Sequence, residues 1–413
     1  MTSTSTNAST SASSVSGVDV HGLRAKTARK MGFRGRKTSN KNPPILSHEF
    51  VIQNHADIVS CVAMIFVTGL LVQVTSPLAY MFIVVQHNVT VEGPQTEGTT
   101  YFTSGWKDLC TVFFYFLVCI VVHALVQEYI LDKVSRKLHL SKVKHNLFNE
   151  SGQLVVFYLL SVFWGIDIII RENYLFNIAA LWEGYPHTEM TTLFKCFYII
   201  QLSYWLHCYP ELYFQKVKKE EMGHKIKLAT ANLIFVTLAY VTNFTRVGLC
   251  LLVLHYISEA IFHVARLMDF ADKNENGGQA GYLAFKVAFV FVRLGSIILS
   301  VLTFWYGLSL SENQGFNFAA GNFNTQFMRM TALLAVGSLQ AYLMWNFITS
   351  QLARMRELSI LHQPTKKRQD KKQANKKKEK KHAVQDDDIN EMTEVDQNTA
   401  KKQHLRSRAQ KGK

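Results

Sequence analysis

The sequence has 413 residues, a formal net charge of +15 and a hydrophobic fraction of 48%. This hydrophobic fraction would suit a water-soluble protein. The distribution of the apolar residues does not, because long apolar runs alternate with short polar loops. A helix of about 20 apolar residues, rising about 1.5 Å per residue, crosses a hydrocarbon core of about 30 Å. The pattern therefore excludes a soluble globular domain and predicts an all-α polytopic membrane protein, a bundle of about eight transmembrane helices.

The apolar runs are the candidates for these transmembrane helices. One such run could be a buried helix of a soluble protein, but a series of them argues against that alternative. The fourth run is the most polar, since it contains Lys195 and His207. Residues 78–85 either extend the first run beyond Pro77 or lie in the interface. The runs are 58–74, 109–131, 154–170, 193–209, 228–244, 247–268, 283–308 and 328–348.

The loops predict the orientation, because Lys and Arg accumulate on the cytosolic side of a membrane. The loops after the first and third runs have one basic residue each, Lys107 and Arg171, and residues 309–327 have none. We therefore expect these loops in the lumen and both termini in the cytosol. The basic residues of the predicted cytosolic segments are Arg24, Lys26, Arg29, Lys30, Arg34, Arg36, Lys37, Lys41, Lys133, Arg136, Lys137, Lys142, Lys144, Lys216, Lys218, Lys219, Lys225 and Lys227.

A glycosylation motif agrees with this orientation. Asn88-Val89-Thr90 is an N-glycosylation acceptor sequence in the first predicted luminal loop. A second match begins at Asn243, but it lies against the membrane, where an oligosaccharide has no room. We therefore predict Asn88 as the glycosylation site.

The two ends are predicted to be disordered. Residues 1–43 form a polar, basic arm, and residues 358–413 form a lysine-rich tail with an acidic island at Asp386 to Asp388. Such segments contain too few apolar side chains to offset the entropy of ordering. The tail is either a solvated segment or a surface that attracts anionic lipid headgroups and the phosphates of ribosomal RNA.

Polar side chains at membrane depth are the candidate functional residues, since they are costly in hydrocarbon. Residues on the sixth run at spacings of four, four and three lie on one helical face. Two histidines and a carboxylate could hold a metal, but histidines two turns apart reach one ion poorly and no HExxH motif is present. We therefore favour a paired polar face toward the bundle interior, with no catalytic residue, metal or cofactor. The face comprises His255, Glu259, His263 and Arg266, and on the seventh run Lys286 and Arg293 could pair with Glu259 or Asp269.

Five strings of the sequence are long and specific: PILSHEFVIQNHAD at 44–57, QEYILDK at 127–133, FNESGQL at 148–154, YWLH at 204–207 and PELYFQK at 210–216. They resemble the translocating-chain-associated membrane protein (TRAM) family. The resemblance runs from about Pro44 to Glu357. It implies eight spans in the endoplasmic-reticulum membrane and work beside the Sec translocon, in contact with signal sequences and transmembrane segments. It also implies a division into 44–145, the first two helices with a glycosylated loop, and 146–357, a six-helix domain of the TLC type.

The TLC group includes ceramide synthases, so the alternative function is an acyltransferase or other lipid-handling protein. Ceramide synthases have a paired histidine ahead of an Arg-x-Gly motif. With Arg246-Val247-Gly248 as the anchor, the paired position is Leu228-Ala229 here. The later His-Asp motif is His255-Tyr256, with Glu259 in place of a further Asp. Because the general acid and base are missing, we predict that the protein is not an enzyme.

Overall fold

The computed structural model describes Pro44 and residues 47–89, 100–271 and 276–361. The predictions for the arm at 1–43, for Thr90 and for most of the tail, 362–413, lie outside these residues. The described residues divide into two units between Phe50 and Val51. In the first unit, Ser47 Oγ accepts a hydrogen bond from the Phe50 N–H at 3.1 Å.

The described chain is a helical bundle with one small sheet, which confirms the predicted fold class. Short 3₁₀ or π segments interrupt or connect several helices. The helices are α1 (His48–Gln53), α2 (His55–Gly69), α3 (Ser76–Ile83), α4 (Asp108–Val126), α5 (Asp132–Lys137), α6 (Lys142–Arg171), α7 (Thr192–Phe214), α8 (Lys219–Val241), α9 (Thr245–Ala271), α10 (Asn276–Ser300), α11 (Leu308–Leu310) and α12 (Gln326–Leu361).

Within the described residues, five helices are long and apolar enough to cross a membrane: Asp108–Lys137, Lys142–Arg171, Thr245–Ala271, Gly277–Leu310 and Gln326–Ser359. The other three predicted runs are helical but fall short of this standard. α2 has 15 residues, or about 22 Å. Polar side chains lower the mean hydropathy of α7 and α8, which have 23 residues each. The count of eight spans stays a prediction.

Contacts at the helix ends show the directions of the helices. Asp108 at the start of α4 pairs with Lys195 near the start of α7, and His123 near the end of α4 pairs with Glu211 near the end of α7. These two helices are therefore parallel. Tyr240 near the end of α8 hydrogen-bonds to Asp108, so α8 runs the opposite way. We call the end that contains Asp108 the sheet end and the end that contains His123 the opposite end.

The first apolar run is followed by a separate helix, α3, where the sequence allows either an extension of that run or an interfacial segment at residues 78–85. The rings of Phe66 and Phe82 lie 4.7 Å apart. A Cβ on Gly69 would lie 3.2 Å from the Cβ of Ala79. α3 therefore folds back antiparallel on α2, and residues 78–85 do not extend the first helix.

A three-stranded antiparallel sheet closes the sheet end. Its strands are β1 (Asn88–Val89), β2 (Tyr101–Thr103) and β3 (Glu189–Thr191), in the order β1-β2-β3. Phe102 is opposite both Asn88 and Met190. The sheet joins the loop before α4 to the start of α7, because β3 runs directly into that helix.

Two π segments interrupt the long helices, at Gln127–Leu131 and Val301–Gly307. Such segments are rare and frequently lie at functional sites. Gly307 ends the second one beside Trp182, where an added Cβ would lie only 2.1 Å from the indole ring. A side chain at this position would push the loop before β3 away from the bundle.

Candidate functional site

The predicted polar face of α9 meets α10 and α12 at one buried arginine. Arg293 is 1% exposed, its Nη2 lies 3.0 Å from His255 Nδ1, and it donates to Ser258 Oγ at 2.7 Å. Its Nη1 donates to Gln340 Oε1 at 2.9 Å. Its guanidinium lies 4.8 Å from the centroid of the Phe289 ring. Acceptors and an aromatic face therefore replace part of the water that a buried guanidinium loses.

Two further members of this face, His263 and Arg266, lie against aromatic rings. The His263 and Tyr158 ring centroids are 5.9 Å apart, and the Arg266 guanidinium lies 5.8 Å from the centroid of Phe270. Among the described residues, His263 Nδ1 has no hydrogen-bond partner. The predicted polar face is thus partly an aromatic one.

Glu259 and Lys286 are half-buried. Arg293 acts on Glu259 electrostatically, but within the described part of the chain Glu259 forms no ion pair. Arg293 instead donates to neutral side chains. The structure thus brings His255 and Arg293 together and does not join the other four residues to them. The functional role of this face stays a prediction.

A buried ion pair holds the sheet end together. Lys195 Nζ lies 2.7 Å from Asp108 Oδ1, and the two side chains are 0% and 5% exposed. Lys195 Nζ also donates to the carbonyl oxygens of Gln86 and Thr103, at 2.8 and 2.7 Å. Tyr240 Oη donates to Asp108 Oδ2 at 2.8 Å. One lysine therefore links α7, α4 and the sheet, and Asp108 adds α8.

The loop before β3 contains a buried histidine at the same end. His187 is 4% exposed, and its Nε2 lies 2.9 Å from the Glu183 carbonyl oxygen. Burial, together with the nearby Arg246 guanidinium, lowers the pKa of His187 to about 3. Burial also raises the pKa of Tyr185, whose ring contacts His187, to about 12. His187 is therefore neutral in the folded protein at physiological pH.

In the middle of the bundle, side-chain hydrogen bonds join α6, α7 and α9. Gln201 Nε2 donates to Ser161 Oγ, and Gln201 Oε1 accepts from Tyr256 Oη, both at 2.9 Å. Trp205 Nε1 donates to Tyr256 Oη at 3.0 Å. These groups satisfy one another, so this network favours one packing of the helices over others.

At the opposite end, histidines and a carboxylate form a second cluster. His123 Nε2 lies 3.2 Å from Glu211 Oε1 and 3.0 Å from Gln215 Nε2. His207 Nε2 lies 3.3 Å from His123 Nδ1. Gln153 Nε2 donates to the His123 carbonyl oxygen at 2.7 Å. The cluster joins α4, α6 and α7 beside the π segment Gln127–Leu131.

This cluster borders a cavity of about 740 Å³. A second histidine–carboxylate pair, His145 Nε2 with Asp132 Oδ1 at 3.5 Å, lies in the same wall. The lining residues are Gln53, His55, Ala56, His123, Ala124, Gln127, Glu128, Asp132, Arg136, His145, Glu211, Phe214 and Gln215. The sequence does not reveal this site, because its members come from helices that are far apart in the chain. Within the cluster of His123 and Glu211, one local signal is the four-residue spacing of His207 and Glu211.

The other sequence-predicted site, Asn88, is exposed in strand β1, at the sheet end. Among the described residues, no group of three or more His, Cys, Asp or Glu side chains is arranged to hold a metal. Buried polar and charged side chains of the described bundle lie at the Arg293 cluster, at the Lys195–Asp108 pair and around the 740 Å³ cavity.

Comparisons with known proteins place the bundle in a family. The family model of the TLC domain matches residues 147–349. Translocating chain-associated membrane protein 2 of Homo sapiens is 47% identical over 327 residues, which are 79% of this chain and 86% of that protein. The Mus musculus protein of the same name is 48% identical over the same shares. The sphingosine N-acyltransferase-like protein ALT7 of Alternaria alternata is 29% identical over 174 residues, 41% of this chain and 39% of that protein.

The match to the two mammalian proteins spans most of both chains at nearly half identity, so it extends beyond the part matched by the TLC domain model. The resemblance predicted from the sequence strings is confirmed. The chain belongs to the translocating chain-associated membrane protein family.

Proposed function

We propose that this protein is an accessory of the Sec translocon in the endoplasmic-reticulum membrane. It contacts signal sequences and transmembrane segments and assists their translocation and insertion. The observation that carries the proposal is the 47% identity, over 79% of the chain, to a protein named for its association with translocating chains. The helices that can cross a membrane give the setting in which such contacts would occur.

A cleft in the bundle supports this proposal. A cavity of about 160 Å³ is lined by apolar side chains of α8, α9 and α12, among them Leu251 and Val336. It is close in size to the dry cavity of roughly 150 Å³ that accommodates benzene in another protein. One helical turn further along α9 and α12 are His255 and Gln340, which bond Arg293. An amphiphilic segment in the cleft would contact an apolar surface and, one turn away, a polar one. The free-energy cost of placing the segment's polar groups at membrane depth would therefore be lower.

The finer features belong to the same proposal. Both termini are cytosolic, the segments 1–43 and 358–413 form a basic arm and a lysine-rich tail, 44–145 carries the glycosylated loop and 146–357 is the six-helix domain. The basic cytosolic loops and tail attract the ribosome and anionic lipids through screened charge. The alternation of basic and non-basic loops supports these assignments.

Photo-crosslinking in microsomes tests the proposal. A photo-reactive residue in the apolar core of a signal sequence should crosslink to this protein, most strongly for weakly hydrophobic signals, because they partition poorly into lipid. Ala332→Trp fills the cleft and should reduce the crosslink several-fold. Ala341→Trp, on an exposed part of the same helix, should not. Signals that crosslink only to the channel and to lipid would contradict the proposal.

A deletion tests the role proposed for the tail. Removal of residues 363–413 should weaken co-sedimentation with ribosomes at low salt, because a lysine-rich segment acts through screened charge. The same deletion should leave the signal-sequence crosslink unchanged. Equal co-sedimentation of the full-length and truncated proteins at low salt would remove the tail from the proposal.

Acyl transfer is the second candidate, and the similarity to ALT7 favours it. The position of the paired histidine is Leu228-Ala229 on α8, where Ala229 is 2% exposed in the apolar core. Neither residue can transfer a proton. We therefore place acyl transfer second and propose that the protein is not an enzyme.

Purified protein given a sphingoid base and acyl-CoA tests this second candidate. We expect no ceramide above a heat-killed control. Turnover that His255→Ala abolishes would overturn the proposal that the protein is not an enzyme.

A further inference from the structure

Two adjoining cavities of opposite charge lie at the opposite end of the bundle. The 740 Å³ cavity has three carboxylates, Glu128, Asp132 and Glu211, and one guanidinium, Arg136. A second cavity of about 460 Å³ has four lysines and two glutamates. Its charged residues are Lys142, Lys216, Lys218, Lys225, Glu150 and Glu221. Both cavities are lined by Gln127, His145 and Gln215, so they share a wall.

The acidic cavity contains a buried acceptor with no partner. Glu211 is 7% exposed, and its Oε1 accepts from Gln215 Nε2 at 2.9 Å and lies 3.2 Å from His123 Nε2. Among the described residues, Glu211 Oε2 has no hydrogen-bond partner. A buried carboxylate oxygen without a donor is costly, and a charged N–H donor is its strongest partner. A cationic N–H donor would therefore satisfy Glu211 Oε2.

The basic cavity is suited to a phosphate. Glu150 lies 2.9 Å from Lys225 and Glu221 also lines the cavity, so the four lysines exceed the two glutamates by two positive charges. α6 begins at Lys142 and α8 begins at Lys219, so residues at the N-terminal ends of two long helices line this cavity. Helix N-termini with unpaired N–H groups bind anions.

The depth of the site favours a lipid over a dissolved compound. Gln127, in the shared wall, is 19 residues from Asp108 at the sheet end, in one continuous helix. That separation is about 28 Å, or one hydrocarbon thickness. With Asp108 at one membrane interface, the cavities would be level with the headgroups of the other leaflet. Val143, in the wall of the basic cavity, is 71% exposed and offers an apolar contact for the start of an acyl chain.

We propose that the paired cavities bind the headgroup of phosphatidylethanolamine. The primary ammonium donates to Glu211 Oε2 in the acidic cavity, and the phosphate lies among the lysines of the basic cavity, near Lys142 and Lys218. A phosphatidylcholine headgroup has the same charges, but its trimethylammonium has no N–H to donate. The site therefore selects the primary ammonium by hydrogen bonding rather than by charge.

Binding of short-chain lipids to the full-length protein in an uncharged detergent tests this inference. Isothermal titration with dihexanoyl phosphatidylethanolamine should show an affinity about tenfold or more above that for dihexanoyl phosphatidylcholine, since one charge-assisted hydrogen bond distinguishes them. This comparison uses the wild-type protein and does not depend on a variant that folds. Equal affinities for the two lipids would overturn the proposal.

Variants test which cavity binds the ammonium and which binds the phosphate of the headgroup. Glu211→Gln should reduce the preference for the ethanolamine lipid to near one, and Glu312→Gln, an exposed glutamate at the sheet end, should leave it unchanged. The double variant Lys142→Ala, Lys218→Ala should weaken the binding of both lipids by the same factor, because both lipids contain the phosphate. Retention of the preference in Glu211→Gln would overturn the assignment of the ammonium.

Two further titrations separate this lipid from other ligands with similar chemistry. Free phosphoethanolamine should bind at least about tenfold more weakly than the lipid, because it lacks the apolar contact. Equal binding would assign the site to a dissolved compound and overturn the lipid proposal. A lysine-containing peptide that displaces the lipid stoichiometrically would overturn it in favour of a peptide site. The outcome is independent of signal-sequence crosslinking, which involves the cleft near Leu251 and Val336.

Discussion

Lys195 shows how a charge is tolerated in the interior of the helical bundle. In the sequence it makes the fourth apolar run the most polar one, and nothing near it in the chain offers a partner. In the structure, Asp108 neutralises the lysine, and two carbonyl oxygens accept hydrogen bonds from its other N–H groups. The partners come from residues 86 to 108, so periodicity within α7 could not reveal them. The cost of burial is offset only when all of these groups are in place.

The first prediction concerns this ion pair. Lys195→Met should lower the free energy of unfolding in detergent by about 3–5 kcal/mol, because it leaves Asp108 buried and uncompensated. Adding Asp108→Asn should recover part of the loss, since it removes the stranded charge. Lys227→Met, on an exposed position of α8, serves as the control. Thermal unfolding measures all four proteins. A Lys195→Met protein as stable as the Lys227→Met protein would show that the pair contributes nothing.

The second prediction concerns pH and His187. Its folded-state pKa of about 3 lies below the unfolded value of about 6.5, so the unfolded chain binds more protons at acidic pH. Its stabilising contribution is therefore present above pH of about 6.5 and is lost as the pH falls toward the folded pKa. Between pH of about 6.5 and 4.5, wild type should lose about 2 kcal/mol more than His187→Asn. Denaturant unfolding at several pH values measures the difference, and parallel pH curves would contradict it.

At the scale of the elements, the sequence predicts the helices but not their interruptions. Apolar runs locate each long helix, because about 20 such residues have no other stable conformation in a membrane. The reversal between α2 and α3 was not predicted, since it depends on Gly69 meeting Ala79. The π segments at Gln127–Leu131 and Val301–Gly307 were not predicted either, because an extra residue in a helical turn leaves the apolar pattern almost unchanged.

The third prediction concerns the contact between α9 and α10. A Cβ on Gly281 would lie 2.8 Å from the Cβ and 3.0 Å from the Cα of Ala265, so Gly281→Ala must push the two helices apart. We expect a destabilisation of about 1–3 kcal/mol, as for other overpacked cores. Gly295, on the same helix, has no heavy atom within 4 Å of an added Cβ. Gly295→Ala should therefore be neutral or stabilising, because alanine favours the helix. If the Gly281→Ala and Gly295→Ala proteins melt at the same temperature, α9 and α10 are not in close contact at Gly281.

At the scale of the whole molecule, the predicted polar face and the observed polar sites overlap only in part. His255 and Arg293 both belong to the predicted face and meet in the structure, whereas the sequence pairs Arg293 with Glu259 or Asp269. The cavity bordered by His123 and Glu211 depends on α4 and α7 running parallel, which no local pattern specifies. The same holds for Asp132 and His145, which meet across a turn between helices. Tertiary contacts, rather than segment composition, create these sites.

The last prediction concerns the orientation of the bundle in the membrane. Asn88 is exposed in β1 beside the Lys195–Asp108 pair, and the basic loops lie at the other end of the same helices. If the basic loops face the cytosol, Asn88 faces the lumen and receives an oligosaccharide. Endoglycosidase should then shift the mobility of wild type but not of Asn88→Gln, and Asn243→Gln should shift like wild type, because Asn243 is 3% exposed and donates to the Gly321 carbonyl oxygen at 2.9 Å.

A C-terminal epitope tests the same orientation from the other side. It should be digested by protease added to intact microsomes, because α12 runs from the sheet end and the tail follows it at the opposite end. A protected epitope together with an unglycosylated Asn88 would show that the bundle has the inverse orientation in the membrane. The cavity bordered by Glu211 would then face the lumen, and the lysines at 216–227 could not reach a ribosome. The positive charge of the loops and the position of Asn88 are thus two independent measures of one property, and they must agree.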